Sequence, residues 1–196
     1  MSDMALDIIP RKITVAEYRR MAEVGILAED ERVELLDGML VKMSPLGRPH
    51  RMVHALIVEY LNMTLGERAI VQGMSSVQLG DYSEPQPDIV VLPRKLQEFV
   101  LREPDPTEVY AVIEIADSSL RIDTGIKRRL YGNFRVVEYL VVDVKARVLL
   151  RYTGRFDDWD AKPEHIVPGD TFRLVSLQDI ELDAERFLPL PKPEAG

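Results

Sequence analysis

Residues 109–116 read Val-Tyr-Ala-Val-Ile-Glu-Ile-Ala, an apolar run that a single acidic residue, Glu114, interrupts. A short, continuous apolar run between turn signals predicts a strand that is buried on both faces of a sheet. A carboxylate in such a strand is costly to bury, so Glu114 requires a cation, a hydrogen-bond network or a metal ion. This stretch therefore predicts a sheet-based fold and marks a candidate functional position inside it.

Signals on both sides of this strand predict a mixed α/β fold. Thr14 and Glu17 form a capping box for a helix over residues 15–24, and the Asp37-Gly38 pair predicts a hairpin turn. Apolar residues at three- and four-residue steps predict one helix that ends near residue 65 and another over residues 121–133. Further strands are predicted at residues 32–36, 39–43, 69–79, 88–92, 137–142 and 147–152. The expected architecture is a mixed α/β fold in which an N-terminal helix and a β-hairpin are followed by a helix, several central strands, a helix over the sheet and a second hairpin.

Length and composition limit the classes of protein that need to be considered. A chain of 196 residues predicts one domain over residues 13–188, with an N-terminal extension over 1–12 and a flexible Pro-rich tail over 189–196. The absence of cysteine excludes disulfides, thiolate nucleophiles and Cys-type zinc sites. A net charge of −8 argues against sequence-independent coating of nucleic acid. The acidic start and the lack of any apolar run of membrane length predict a cytoplasmic protein with no membrane partner.

A second carboxylate, Asp88, begins the strand predicted at residues 88–92, directly after Pro87. If that strand lies beside the Glu114 strand, both carboxylates can converge on one hard cation. Mg²⁺ prefers such oxygen ligands, and it usually takes one or two carboxylates together with water and substrate phosphate. The alternative is that Glu114 pairs with an arginine while Asp88 caps a turn.

The helix that follows supplies a complementary charge. Asp123, Lys127 and Tyr131 are four residues apart and therefore share one helical face, so the Lys127 amine can orient an attacking water or stabilise charge on a phosphate. The alternative is an ordinary surface ion pair between Asp123 and Lys127. Residues 121–135 hold five basic residues against one aspartate, which makes Arg128 a candidate phosphate contact, unless this stripe is simply a solvated helix face.

These positions form an ordered set of motifs: Gln86-Pro87-Asp88-Ile89-Val90-Val91, residues 112–119, Asp123, Lys127, Tyr131 and residues 138–143, preceded by residues 14–18, residues 33–38 and His50. In this order they resemble the Uma family of prokaryotic restriction-endonuclease-like proteins, a branch of the PD-(D/E)XK nuclease superfamily. The resemblance extends over about residues 13–153 and some of the segment that follows.

The resemblance implies a restriction-endonuclease-like core, which is a mixed central sheet flanked by helices, in which Asp88 and Glu114 bind Mg²⁺ for phosphodiester hydrolysis. The lysine of the acidic-x-Lys triplet would fall at position 116, where this chain has Ala116, and the family's lysine is expected in the next helix, at Lys127. Glu34 is implied as a further catalytic acid, unless it is an outward-facing residue of the hairpin. Gln86 either hydrogen-bonds the carboxylates or substrate or merely precedes a turn, and His50 is a candidate substrate contact.

The expected function is a Mg²⁺-dependent endonuclease acting on DNA, with Mn²⁺ as a possible substitute for Mg²⁺. Its alternative is a catalytically inactive nuclease-fold module that binds nucleic acid or a protein partner. The strands predicted at residues 137–142 and 147–152 form a second hairpin, and edge strands in the two predicted hairpins would allow a homodimer. A sugar hydrolase that uses the two carboxylates as acid and base is a third hypothesis, and insensitivity to chelator would favour it.

Overall fold

The computed structural model describes residues 10–28, 30–43, 45–154 and 162–188. Its N-terminal part is a helix, a hairpin and a longer helix: α1 (Val15–Glu23), β1 (Val33–Leu36), β2 (Met39–Lys42) and α2 (Arg48–Leu65). The capping box of α1 is present, with the Thr14 hydroxyl accepting from the Glu17 backbone N–H. Asp37 and Gly38 both have positive φ, as the hairpin turn requires.

The centre of the described fold is a six-stranded mixed sheet. Its strands are β3 (Ala69–Gly73), β4 (Ile89–Pro93), β5 (Ala111–Ala116), β6 (Glu138–Asp143), β7 (Val148–Thr153) and β8 (Glu164–Ile166), which lie side by side in this order. The pairings are antiparallel except between β5 and β6, which are parallel. A parallel pair needs a crossover connection, and the helical residues 120–133 supply it.

The remaining elements are short. The helix α3 (Leu96–Phe99) follows β4, and 3₁₀ turns occupy Gly66–Arg68, Pro106–Glu108 and Ala184–Phe187. Near the C-terminal end of the described residues, β9 (Thr171–Phe172) pairs with β10 (Leu182–Asp183). No helix within the four described ranges is long and apolar enough to cross a membrane.

Each face of the central sheet carries its own apolar cluster. Alternate residues of the strands, such as Ile113 and Ile115 of β5, face α2 and the C-terminal segment, where Ile57 and Leu61 of α2 are fully buried. The opposite residues, such as Val112 and Ala116, face the crossover helix and the β1–β2 hairpin. Glu114 lies between Val112 and Ala116 on this second face, so side-chain alternation directs it toward the crossover helix.

The crossover helix differs from the regular α-helix that the sequence predicts over residues 121–133. It consists of α4 (Leu120–Ile122), a π-helical segment (Asp123–Lys127) and α5 (Arg128–Asn133). Asp123 and Lys127 are buried, whereas Ile122 of the expected apolar stripe is 39% exposed. The predicted apolar face is correct for Leu130, which is buried, and for Ile126 and Phe134, which pack against the same cluster. The polar contacts of Asp123 and Lys127 hold these two charged residues inward as well.

Two further expectations are wrong. The strand predicted over residues 69–79 ends at Gly73, because Met74 has a positive φ and residues 77–85 instead fold back on themselves through Val77 N–H to Pro85 O and Leu79 N–H to Ser83 O. The second hairpin offers no free edge for a partner, because β5 flanks β6 and β8 flanks β7. The edges of the central sheet are β3 and β8, and the homodimer stays a prediction.

Of the predicted N-terminal extension only residues 10–12 are described, and the predicted tail at residues 189–196 lies outside the described residues.

The packing of α2 predicts a large difference between two leucines of that helix. Leu61 is fully buried against the sheet, and Leu56 is 51% exposed. We expect Leu61→Ala to lower the free energy of unfolding by about 2–5 kcal/mol, because it removes buried methyl groups and leaves a cavity. Leu56→Ala is the matched control and should change it by about 0.5 kcal/mol or less. Chemical denaturation measures both, and equal losses would contradict this packing.

Candidate active site

A buried ammonium group joins two carboxylates on the second face of the sheet. Lys127 Nζ lies 3.0 Å from Glu34 Oε2 and 2.9 Å from Glu114 Oε1, and these three side chains are at most 5% exposed. Glu34 comes from β1, Glu114 from β5 and Lys127 from the π-helical segment. One cation therefore links three elements that are distant in the sequence.

Neighbouring groups hold both glutamates in place. The Tyr131 hydroxyl, one turn after Lys127, donates to Glu114 Oε1 at 3.2 Å. The backbone N–H of Gln86 donates to Glu34 Oε2 at 3.2 Å. Glu114 therefore receives hydrogen bonds from Lys127 and Tyr131, and Glu34 receives one from Gln86 beside its ion pair with Lys127, so both carboxylates have fixed orientations.

Asp88 lies directly before β4 and joins this group from the neighbouring strand. The antiparallel register pairs Ile89 with Ile113, so Asp88 lies across from Glu114 at the end of the ladder. Asp88 Oδ2 accepts from the Ile115 backbone N–H at 2.7 Å and from His50 Nε2 at 3.0 Å. The strands of the two carboxylates are thus neighbours, as the hypothesis of a shared cation requires.

Burial and charge shift the proton affinities of the group strongly. Burial raises the pKa of Glu114 well above its usual value, against the opposing effect of Lys127 and with further increases from Asp123 and Asp88. Burial raises the pKa of Asp123 to about 6, although Lys127 and a 2.5 Å hydrogen bond from the Ser119 hydroxyl oppose it.

Lys127 keeps its charge despite its burial. Burial alone would lower the pKa of the Lys127 amine, but Glu114, Glu34 and Asp123 outweigh this effect and raise the pKa. The side chain is therefore an ammonium donor throughout the physiological pH range and is not a candidate base.

These groups line a cleft of about 80 Å³, which is room for several water molecules. Its acidic lining residues are Glu34, Asp88, Glu114, Asp117 and Asp123, and its basic ones are Lys127, Arg32 and Lys42. Arg32 is missed by the sequence analysis, although its two-residue spacing from Glu34 places both on one face of an extended segment. Asp117 lies within the motif of residues 112–119, but the motif predicts no role for it.

The donor set suits Mg²⁺. Among the described residues, the hydrogen bonds to Asp88, Glu114 and Glu34 use one oxygen of each carboxylate (Oδ2, Oε1 and Oε2), which leaves the second oxygen of each for a cation. No group of three or more His, Asp or Glu side chains in those residues is arranged to hold a metal ion alone. Because Mg²⁺ typically takes only one or two carboxylates and completes its shell with water and substrate oxygens, Asp88 and Glu114 fit such a site.

Several of the alternative interpretations can now be corrected. Glu114 pairs with a lysine and not with an arginine, and Asp123 and Lys127 are buried, so they do not form a surface ion pair. Glu34 is 3% exposed and is therefore not an outward-facing hairpin residue.

Two predicted substrate contacts point elsewhere. The Gln86 side-chain amide donates to Met74 O at 3.3 Å, so Gln86 supports the site through its backbone N–H. The Arg128 guanidinium lies over the Tyr152 ring, 5.8 Å from its centroid, and Arg128 is not among the residues that line the cleft. His50 does line the cleft, but its described contact is with Asp88.

Comparison with known proteins agrees with this fold. A family model described as "Uma2: Putative restriction endonuclease" matches residues 15–185. The chain belongs to the Uma2 family. The resemblance inferred from the sequence motifs is thereby confirmed, and the match extends beyond the residues 13–153 on which those motifs lie.

A solved structure has the same fold as this Uma2-family chain. It is that of a "putative nuclease belonging to DUF820" from Anabaena variabilis, with a TM-score of 0.66 and 15% sequence identity, covering 89% of this chain and 97% of the other. The predicted mixed sheet flanked by helices is confirmed by this likeness and by the sheet topology. No curated protein matches the chain.

Removal of the Lys127 ammonium should destabilise the fold. We expect Lys127→Met to lower the free energy of unfolding by about 3–5 kcal/mol at neutral pH, because it leaves the Glu34 and Glu114 carboxylates buried without their partner. Arg129→Met is the matched control, since Arg129 lies two residues further on the same helix and is exposed. Urea unfolding measures both variants. A loss below about 1 kcal/mol for Lys127→Met would show that the ammonium does not hold these elements together.

The raised pKa of Asp123 predicts a specific pH dependence. Its pKa increases from 3.8 to about 6 on folding, so the folded state binds this proton more tightly than the unfolded state does. The resulting contribution to the free energy of unfolding is fully present below about pH 4 and is lost as the pH rises through 6. Asp123→Asn mimics the protonated acid and does not titrate. The stability of this variant relative to the wild type should therefore increase by about 3 kcal/mol between about pH 4 and pH 7.

The control for this measurement is Asp179→Asn. Asp179 is exposed, and a hydrogen bond from Arg68 lowers its pKa, so any pH effect there should be small and of opposite sign. A stability difference between the Asp123→Asn variant and the wild type that does not change with pH would contradict the buried, raised-pKa state of Asp123.

Proposed function

We propose that this Uma2-family chain is a divalent-metal-dependent nuclease that hydrolyses phosphodiester bonds of DNA. Asp88 and Glu114 would hold Mg²⁺ or Mn²⁺, Lys127 would act at the reacting phosphate, and Glu34 would assist by holding Lys127. The observation that carries this proposal is the Glu34–Lys127–Glu114 cluster beside Asp88 in one cleft. Membership of a family described as a restriction endonuclease supports the same reaction class.

The metal ion and Lys127 would have different roles in hydrolysis. When bound, Mg²⁺ supplies charge neutralisation at the phosphate and makes water more acidic. An ammonium has three N–H donors; Lys127 donates one to Glu114 and forms an ion pair with Glu34, so a further donor is available to a phosphate oxygen or to the attacking water. Because Lys127 is already fixed and desolvated, it stabilises developing negative charge without reorganising during the reaction.

The lining of the cleft favours a phosphate-bearing polymer over a neutral sugar. Arg32 and Lys42, on or next to the β1–β2 hairpin, line the cleft together with the acidic cluster. These basic side chains can contact the substrate backbone, while the net charge of −8 limits binding elsewhere on the protein. This arrangement supports a nucleic acid substrate.

A second candidate is a catalytically inactive nuclease-fold module that binds nucleic acid or a protein. The engagement of Lys127 with Glu34 and Glu114 favours it, because these two acids already have a cationic partner. Such a module would show salt-dependent affinity for DNA and no metal-dependent cleavage.

A plasmid-nicking assay with Mg²⁺ or Mn²⁺ tests the proposed function. We expect nicking by the wild type, loss of nicking with a chelator, and a decrease of about 10²-fold or more for Asp88→Asn and Glu114→Gln, because each removes the negative charge that binds the cation. The control is Asp179→Asn, an exposed acid outside the cleft, which should retain the rate of the wild type.

Two outcomes would reject the metal-dependent nuclease. Absence of cleavage under all metal conditions, together with salt-dependent DNA binding in a separate binding assay, would support the inactive module. Cleavage that resists chelator would show that the reaction does not depend on a metal ion.

A further inference from the structure

His50 makes a contact with Asp88 that neither packing nor the proposed hydrolysis explains. It lies in the first turn of α2, its side chain is 9% exposed, and its Nε2 is 3.0 Å from Asp88 Oδ2. A carboxylate oxygen accepts hydrogen bonds, so Nε2 carries the proton and donates it. In the neutral ring Nδ1 is then an acceptor.

The second ring nitrogen shows that packing alone does not account for this histidine. His50 Nδ1 is buried and has no hydrogen-bond partner among the described residues. A buried polar atom without a partner costs free energy, which an apolar side chain of similar size would avoid. The benefit that offsets this cost is the hydrogen bond from Nε2 to Asp88.

The Asp88 main chain is fixed independently of His50. Its carbonyl oxygen accepts from His54 Nε2 at 3.0 Å and from the Met74 N–H at 2.8 Å. The fixed main chain does not determine the orientation of the Asp88 carboxylate, because the terminal side-chain torsion of an aspartate has a broad distribution. The orientation of the carboxylate therefore depends on the donors around it.

Two donors from different elements meet on the same oxygen of that carboxylate. The Ile115 N–H approaches Oδ2 from β5, and His50 Nε2 approaches it from α2. Together they fix Oδ2 and thereby determine where Oδ1 lies. Both His50 and Asp88 line the cleft that contains Glu114.

We propose that His50 is a positioning residue that orients the Asp88 carboxylate for a divalent cation, and that its Nε2 donor, not its bulk, performs this task. The inference rests on the proposed function, since it concerns the same metal centre. Partners that orient ligand side chains typically change metal affinity by about 10–100-fold when they are lost.

Two substitutions at position 50 separate the donor from the bulk. A glutamine side chain reaches about as far as Nε2 and keeps an N–H donor there, whereas the shorter asparagine places its donor near Nδ1. We expect His50→Gln to bind Mn²⁺ within about threefold of the wild type and His50→Asn to bind it about 10–100-fold more weakly. Calorimetric titration of Mn²⁺ into the full chain measures these affinities without any need for catalysis.

Two controls accompany the titration. His165→Gln removes an exposed histidine of β8 and should leave the affinity unchanged, which accounts for weak metal binding by histidine itself. Because the glutamine and asparagine variants differ by one methylene, a general packing defect would affect both, and thermal unfolding measures that defect directly.

Each other outcome has a definite meaning. If the wild type binds Mn²⁺ and both His50 variants bind it equally well, or both bind it equally poorly, the Nε2 donor does not orient Asp88 and this inference is wrong while the metal centre stands. If the wild type binds neither Mn²⁺ nor Mg²⁺, the proposed metal centre fails and this inference fails with it.

Discussion

The ammonium of Lys127, shared by Glu34 and Glu114, is the interaction on which the rest of the site depends. The β1–β2 hairpin forms a sheet of its own, and a bridge between Leu35 and Glu84 joins it to a neighbouring segment, as do backbone hydrogen bonds between Gly38 and Tyr82 and between Ile13 and Gly38. The ion pair connects the hairpin in addition to the crossover helix and to the central strand β5. A buried charge is tolerated only with close partners. Displacement of any one of these elements would therefore leave charged groups of the other two buried without a partner.

The same interaction explains the unusual backbone of the crossover helix. π-helical turns are rare because their hydrogen bonding is poorer than that of an α-helix, and they occur frequently at functional sites. Here the π-helical segment is the stretch from Asp123 to Lys127, and both of these side chains are buried in the cleft. Gly125 lies in its middle and lowers the intrinsic helix preference of the segment. The contacts of Lys127 with two carboxylates offset the less favourable backbone.

The features that the sequence predicts well are those that depend on residues close together in the chain. The capping box of Thr14 and Glu17 and the Asp37-Gly38 turn depend only on neighbouring residues, and both are present. Glu114 was identifiable because an acid within an apolar strand violates the pattern of burial. By contrast, the orientations of Gln86 and Arg128 depend on partners from distant elements, Met74 and Tyr152, which no local pattern specifies. The π-helical segment escaped prediction for the same reason, since the contacts that stabilise it are tertiary.

The position of the lysine follows from the core that surrounds it. Position 116 lies on the same face of β5 as Glu114, but Ala116 is 1% exposed and belongs to the apolar cluster that contains Tyr131 and Tyr139. A lysine there would have to bury its aliphatic chain within that cluster, where the Tyr131 hydroxyl now approaches Glu114 Oε1. With a small residue in the strand, the crossover helix supplies both the cation and the tyrosine that fix Glu114. The orientation of Glu114 is therefore set by the packing of a helix against the sheet, and substitutions that move this helix would alter the site even where they touch none of its carboxylates.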